Sequence, residues 1–166
     1  MKMVIDPKKV EPVLENAVIK IGNSHRYVII FFDLLCPFCA RMFLENEEVL
    51  KEYAERGLIT FVMSDFIVHE EAKPLHAMLR CLPSEQRLEF IKETYSDLRK
   101  ALERANQIHS SSCETNEHIL ASGYNLLLGV RAVPTAMFFN KLLGRGFVVE
   151  GYIPQTNMLE YLRSLF

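Results

Sequence analysis

Cys36-Pro37-Phe38-Cys39 stands where one kind of secondary structure must stop and another begin. The apolar run Val28-Ile29-Ile30-Phe31-Phe32 precedes it, the pattern of a strand buried on both faces. Arg41 to Glu55 follows with helical periodicity, placing Met42, Phe43, Val49, Leu50 and Tyr53 on one side and Glu45, Glu47, Glu48 and Lys51 on the other. Gly57 stops that helix, and Leu58 to Met63 reads as the next strand. A strand, a helix and a strand at this spacing make a βαβ unit with parallel pairing.

The junction puts Cys36 at a helix N-cap, where unpaired backbone N–H groups and the helix dipole stabilise a thiolate. Pro37 suits the first helical position, since its φ is already helical and its missing N–H leaves nothing unpaired. Cys39 falls one turn inside, within reach of the first sulfur. Because the thiolate is the species that attacks disulfides, the pair reads as a dithiol–disulfide redox centre. Asp33, three residues before Cys36, is a candidate acceptor for the proton of Cys39, or else an ordinary acid at a strand end.

The rest of the chain supplies a frame. Val10 to Leu14 reads as a short lead-in and Ala17 to Ile21 as a strand. From about His69 to Leu128 the texture is helical, with segments Glu70–Leu82, Ser84 to about Arg104, and a third capped by Thr115-Asn116-Glu117 and stopped by Gly129. Ser110-Ser111-Ser112 reads as a loop. Ala136 to Phe139 and Phe147 to Val149 return to β texture around a turn at Gly144-Arg145-Gly146, and Pro154 opens a last helix. The expected class is α/β: an N-terminal core part over residues 1–66, an all-helical insertion over 67–128, and a C-terminal core part over 129–166.

Val133-Pro134-Thr135 sits at the entrance of the strand after the insertion. In the cis form such a proline makes a tight turn and turns the preceding backbone polar groups outward, where an extended substrate could pair with them.

Taken together, the Cys-Pro-Phe-Cys sequence, its amphipathic helix, the helical insertion and Gly129-Val130-Arg131-Ala132-Val133-Pro134-Thr135 resemble the DsbA-type thiol:disulfide oxidoreductases of the thioredoxin superfamily. The resemblance implies a thioredoxin-like core with a cis peptide at Val133–Pro134. It also implies Cys36 as the exposed nucleophile, Cys39 as the buried resolving thiol, and neither organic cofactor nor metal. The best-known members carry His where this chain has Phe38. Phe38 can neither donate a hydrogen bond nor carry charge, so a higher Cys36 pKa and a potential between roughly −120 and −270 mV are expected. Two other classes compete: a glutathione-dependent small-molecule transferase or isomerase of the same fold, which usually lacks the second cysteine, and a non-catalytic peptide-binding holdase. Leu34, Leu35 and Phe38 could form an apolar patch for a polypeptide, or Leu34 and Leu35 could pack beneath the helix.

Cys81 and Cys113 both fall in the helical insertion, which similar proteins can bridge. A structural disulfide, free buried thiols and a second redox pair all stay open; a bridge would close about 33 residues and contribute about 3–4 kcal/mol. Zinc is disfavoured, because structural sites show two close cysteine pairs. His25, His69, His76, His109 and His118 lack metal spacing and read as surface or packing residues, with His69 approaching the rim of the site. A formal net charge of −2 gives no sign of a nucleic-acid partner, and no apolar stretch reaches the ~20 residues of a membrane span. Met1 to Lys9 carries charge with no apolar segment behind it, so a cytoplasmic location is expected if the chain is complete, and an extracytoplasmic one if a signal peptide has been removed. The expected partners are cysteine-containing proteins or peptides and a redox protein that recycles the dithiol, with the chain itself a monomer or weak dimer.

Overall fold

The computed structural model describes residues 3–107 and 115–166. Its elements run β1 (Met3–Val4), α1 (Pro7–Glu15), β2 (Ile19–Ile21), β3 (Arg26–Phe32), α2 (Pro37–Glu55), β4 (Thr60–Asp65), α3 (Lys73–Cys81), α4 (Ser84–Ser96), α5 (Leu98–Gln107), α6 (Glu117–Leu128), β5 (Thr135–Asn140), β6 (Arg145–Glu150) and α7 (Gln155–Arg163). The strands form one six-stranded sheet ordered β1-β6-β5-β3-β4-β2. β3 pairs in parallel with β4, as a βαβ crossover requires, and antiparallel with β5.

Alternation along β3 divides the core. Val28, Ile30 and Phe32 join Phe61, Met63, Ala136 and Phe138 beneath α2, α4 and α7. Tyr27, Ile29 and Phe31 face the other way, with Val62, Met137 and Phe139, against α1 and α6. A central strand covered on both faces has no polar side to show, which is why its sequence is continuously apolar.

Several elements differ from the sequence reading. The lead-in is a full helix, α1, whose first turn is capped when the Asp6 side chain accepts from the Lys8 N–H (3.0 Å). The segment expected as one helix from Ser84 is two, because Asp97 leaves the helical conformation (φ −152°, ψ 88°). Its carboxylate then accepts from the Lys100 N–H (3.0 Å), so the residue that ends α4 caps α5. Glu70–Ala72 is a 3₁₀ turn ahead of α3 rather than its first turn. β1 was not legible in so short a segment, and the β5–β6 turn closes at Gly144, one residue before β6 begins. Ser110-Ser111-Ser112, His109 and Cys113 lie outside the described residues, and the candidate Cys81–Cys113 bridge with them.

The sheet register gathers distant segments at one end of the fold. Phe32 lies opposite Asp65 on β4, and Phe31 opposite Thr135 on β5. The Asp33–Cys36 segment, the end of β4 and the Val133–Pro134 turn therefore meet at the same edge.

Candidate active site

The chain leaves β3 through a tight segment in which the N–H groups of Leu34, Leu35 and Cys36 all have partners. The Cys36 N–H donates to the Asp33 carbonyl (3.1 Å), and the Leu35 N–H donates to Asp33 Oδ1 (2.8 Å). Cys36 then caps α2 with extended backbone (φ −81°, ψ 116°), and Pro37 takes the first helical turn. The Cys39 N–H donates to Cys36 Sγ at 3.2 Å. Both thiols are free.

That geometry separates the two sulfurs chemically. The hydrogen bond from the Cys39 side chain is the largest influence on Cys36. Burial and the Asp33 charge oppose it, backbone N–H groups of Cys39 and Phe38 assist, and the thiol is lowered to about 7. Cys39 moves the other way: burial first, then the hydrogen bond and charge of Cys36, push its thiol far above the usual range. One sulfur is an anion near neutral pH and the other holds its proton.

The Val133–Pro134 peptide is cis, and Pro134 is buried. Its carbonyl accepts from the Gly151 N–H (2.8 Å), and Thr135 Oγ1 donates to the Ala132 carbonyl (2.6 Å), which pins the turn from both sides. The left-handed C-cap Gly129 (φ 108°) ends α6 and delivers the chain into this turn, a backbone angle that suits glycine. The Val133 carbonyl sits 3.8 Å from Cys36 Sγ and accepts from its S–H. Cys36 is consequently only 5% exposed, more sheltered than the exposed nucleophile the resemblance implied. Phe38 is 61% exposed and flanks the site with Val68 at 51%, whereas Leu34 is fully buried and packs beneath the helix.

Asp33 is fully buried, and its carboxylate is committed to backbone. Besides Leu35, the Val68 and His69 N–H groups donate to Oδ2, each at 2.7 Å. His69 Nδ1 lies 3.2 Å from the same oxygen, so His69 does reach the rim of the site. Asp33 thus ties the Cys36 segment to the loop after β4. Tyr95 of α4, fully buried, donates its hydroxyl to the Asp33 carbonyl (2.9 Å) and packs near Phe43. Burial is the first cause of the raised Tyr95 pKa, followed by the influence of Cys39, Cys36 and Asp33.

Sequence reasoning missed Tyr95 and the group behind the Cys36 segment: Asp65, His76 and Arg80. His76 and Arg80 fall at i,i+4 on the same face of α3 as Leu75 and Leu79, and Asp65 ends the buried strand β4. Ionisable residues aligned with an apolar stripe, near an acid at the end of a buried strand, were the available signal. Among the described residues, no group of three or more His, Cys, Asp or Glu is placed to hold a metal ion. No described helix is long and apolar enough to cross a membrane.

A thioredoxin family model matches residues 16–125, which include Cys36 and Cys39. No curated protein matches the chain in sequence. Among solved structures, a conserved protein of unknown function from Enterococcus faecalis V583 superposes with a TM-score of 0.73 at 18% identity, covering 96% of this chain and 95% of that one. The alpha-DsbA1 of Wolbachia pipientis superposes at 0.67 with 13% identity, covering 88% and 89%. A disulfide interchange protein from Neisseria gonorrhoeae superposes at 0.63 with 20% identity, covering 91% and 96%. The chain belongs to the thioredoxin family, and it has the fold of that family's DsbA-type members.

Proposed function

We propose that this protein exchanges disulfides with the cysteines of protein or peptide substrates through Cys36 and Cys39. The observation that carries the reading is the contrast between the sulfurs: Cys36, capping α2, is lowered to about 7, while Cys39 is held protonated beneath it.

In the oxidising direction a substrate thiolate attacks Sγ of Cys36 in the Cys36–Cys39 disulfide. The Cys36–Cys39 bond breaks, and Cys39 leaves with the electron pair and takes up a proton. A second substrate thiolate then attacks the substrate sulfur of the mixed disulfide. Cys36 departs as a thiolate, the better leaving group because its conjugate acid is the stronger one. The substrate loses two electrons and the dithiol gains them, so a separate redox partner must recycle it. In the reducing direction the Cys36 thiolate attacks a substrate disulfide, and Cys39 resolves the mixed disulfide once its proton is removed. Asp33 is the acid in place to influence that proton. Val133 and Pro134 border the sulfur that substrate must reach, and Phe38 and Val68 offer apolar contact beside it. The protein acts as a monomer or weak dimer.

A thiol near 7 matches thioredoxin rather than the value of ~3.5 in the strongest oxidants, which favours a potential nearer −270 than −120 mV. A glutathione redox titration read by alkylation and peptide mass mapping tests the reading. It predicts a single Cys36–Cys39 midpoint, and Cys39→Ser should accumulate mixed disulfides on Cys36. If Cys36 and Cys39 never pair at any poise, the proposal fails and a binding module takes its place.

A further inference from the structure

Three consecutive N–H groups, those of Leu34, Leu35 and Cys36, run into the dithiol. Two find partners in Asp33 itself. The third reaches outside the segment: the fully buried Leu34 donates its N–H to His76 Nε2 at 3.0 Å. A ring nitrogen that accepts carries no hydrogen of its own, which leaves the ring hydrogen on Nδ1. That nitrogen lies 2.8 Å from Asp65 Oδ2 and donates to it.

The far side is equally fixed. Arg80, one turn along α3, donates Nη2 to Asp65 Oδ1 and to the Asn16 carbonyl. Asn125 of α6 donates to the Asp65 carbonyl (2.8 Å), and Glu117 of α6 lies 4.0 Å from Arg80. Burial pushes the Asp65 carboxyl up, but His76 first and then the Arg80 guanidinium outweigh it and hold it below the usual carboxylate range. The ring itself packs against Phe32, with centroids 5.2 Å apart.

We propose that His76 is a positioning residue for the dithiol: through the Asp65–His76–Leu34 chain, α3 sets where the Asp33–Cys36 segment stands, and so how well Cys36 Sγ caps α2. Without the acceptor, the Leu34 N–H must find another partner, and the segment shifts to supply one. The hydrogen bond from the Cys39 N–H to Cys36 Sγ then loosens and the thiolate loses support. The consequence for disulfide exchange rests on the proposed oxidoreductase function; the consequence for the Cys36 thiol does not.

The test compares the wild type with His76→Phe and His76→Gln, reading Cys36 alkylation by iodoacetamide at pH 6 and the glutathione midpoint. Phe fills the site without an acceptor and should slow alkylation about threefold or more, the equivalent of half a pKa unit. Gln can accept from Leu34 through Oε1 and donate to Asp65 through Nε2, and should stay within about twofold of wild type. A folded His76→Phe protein with unchanged alkylation overturns the proposal. If that variant does not fold, ¹⁵N–¹H correlation of the wild-type His76 ring decides: a neutral Nδ1–H tautomer supports the proposal, and a protonated or Nε2–H ring overturns it. Failure of wild-type Cys36 and Cys39 to form a disulfide would sink the oxidoreductase reading alone, since alkylation still reports on His76.

Discussion

Replacing Asp33 with Asn removes a charge without changing shape, and the structure gives the two effects separable magnitudes. The carboxylate accepts three backbone N–H bonds, from Leu35 at Oδ1 and from Val68 and His69 at Oδ2. An amide keeps one acceptor oxygen and presents an NH₂ where the other stood. Whichever way it turns, at least one backbone donor faces a donor, and the surviving bonds lose their charge assistance. An unsatisfied buried donor costs about 1–3 kcal/mol, and exchanging a charged for a neutral acceptor costs about 1 kcal/mol more, so a loss of about 2–4 kcal/mol is expected. Urea unfolding of reduced wild type and Asp33→Asn measures it. The second effect concerns the thiol. The Asp33 charge raises the Cys36 pKa, so removing it should lower that pKa further and speed alkylation at pH 6 by a few-fold. A variant as stable as wild type, with Cys36 alkylation unchanged or slower, would refute this account of Asp33. If resolution of mixed disulfides by Cys39 also slows, Asp33 handles its proton as well as holding the loop.

Two further outcomes can be checked directly. Alkylation of Cys36 should rise with pH around a midpoint near 7 while Cys39 stays unreactive, read by mass mapping. Because the folded pKa of Cys36 lies below its ordinary value of 9.0, the stability it contributes is present at high pH and lost as pH falls through about 7. The reduced protein should therefore gain stability from pH 7 toward 9 while the disulfide form shows no such gain, by urea unfolding of both. Gly146→Ala should lose about 2–3 kcal/mol or fail to fold, because its Cβ would lie 2.1 Å from the Phe138 carbonyl oxygen in the neighbouring strand; circular dichroism melting reads it, and an unchanged midpoint would contradict the β5–β6 pairing.

The sequence by itself determined the parts whose information is local. The unbroken apolar run of β3, the helical period after Cys39, Pro37 behind a capping cysteine, and Gly129 before Val133-Pro134 each follow from the geometry of a few adjacent residues. They were enough to place a dithiol at a helix N-terminus and to anticipate parallel β3–β4 pairing. What surrounds that dithiol was decided only by tertiary structure, because burial and hydrogen-bond partners are set by residues far apart in the chain. Asp33 reads as a possible proton acceptor in the sequence, yet Val68 and His69, 35 and 36 positions on, donate to it. His76 reads as a surface or packing residue, though it accepts from Leu34, 42 positions before it. Cys36 is sheltered by Val133, 97 positions away. No local pattern encodes such pairs. The sheet register brings them together at one edge, and there the cost of leaving a buried polar group unpaired selects each partner.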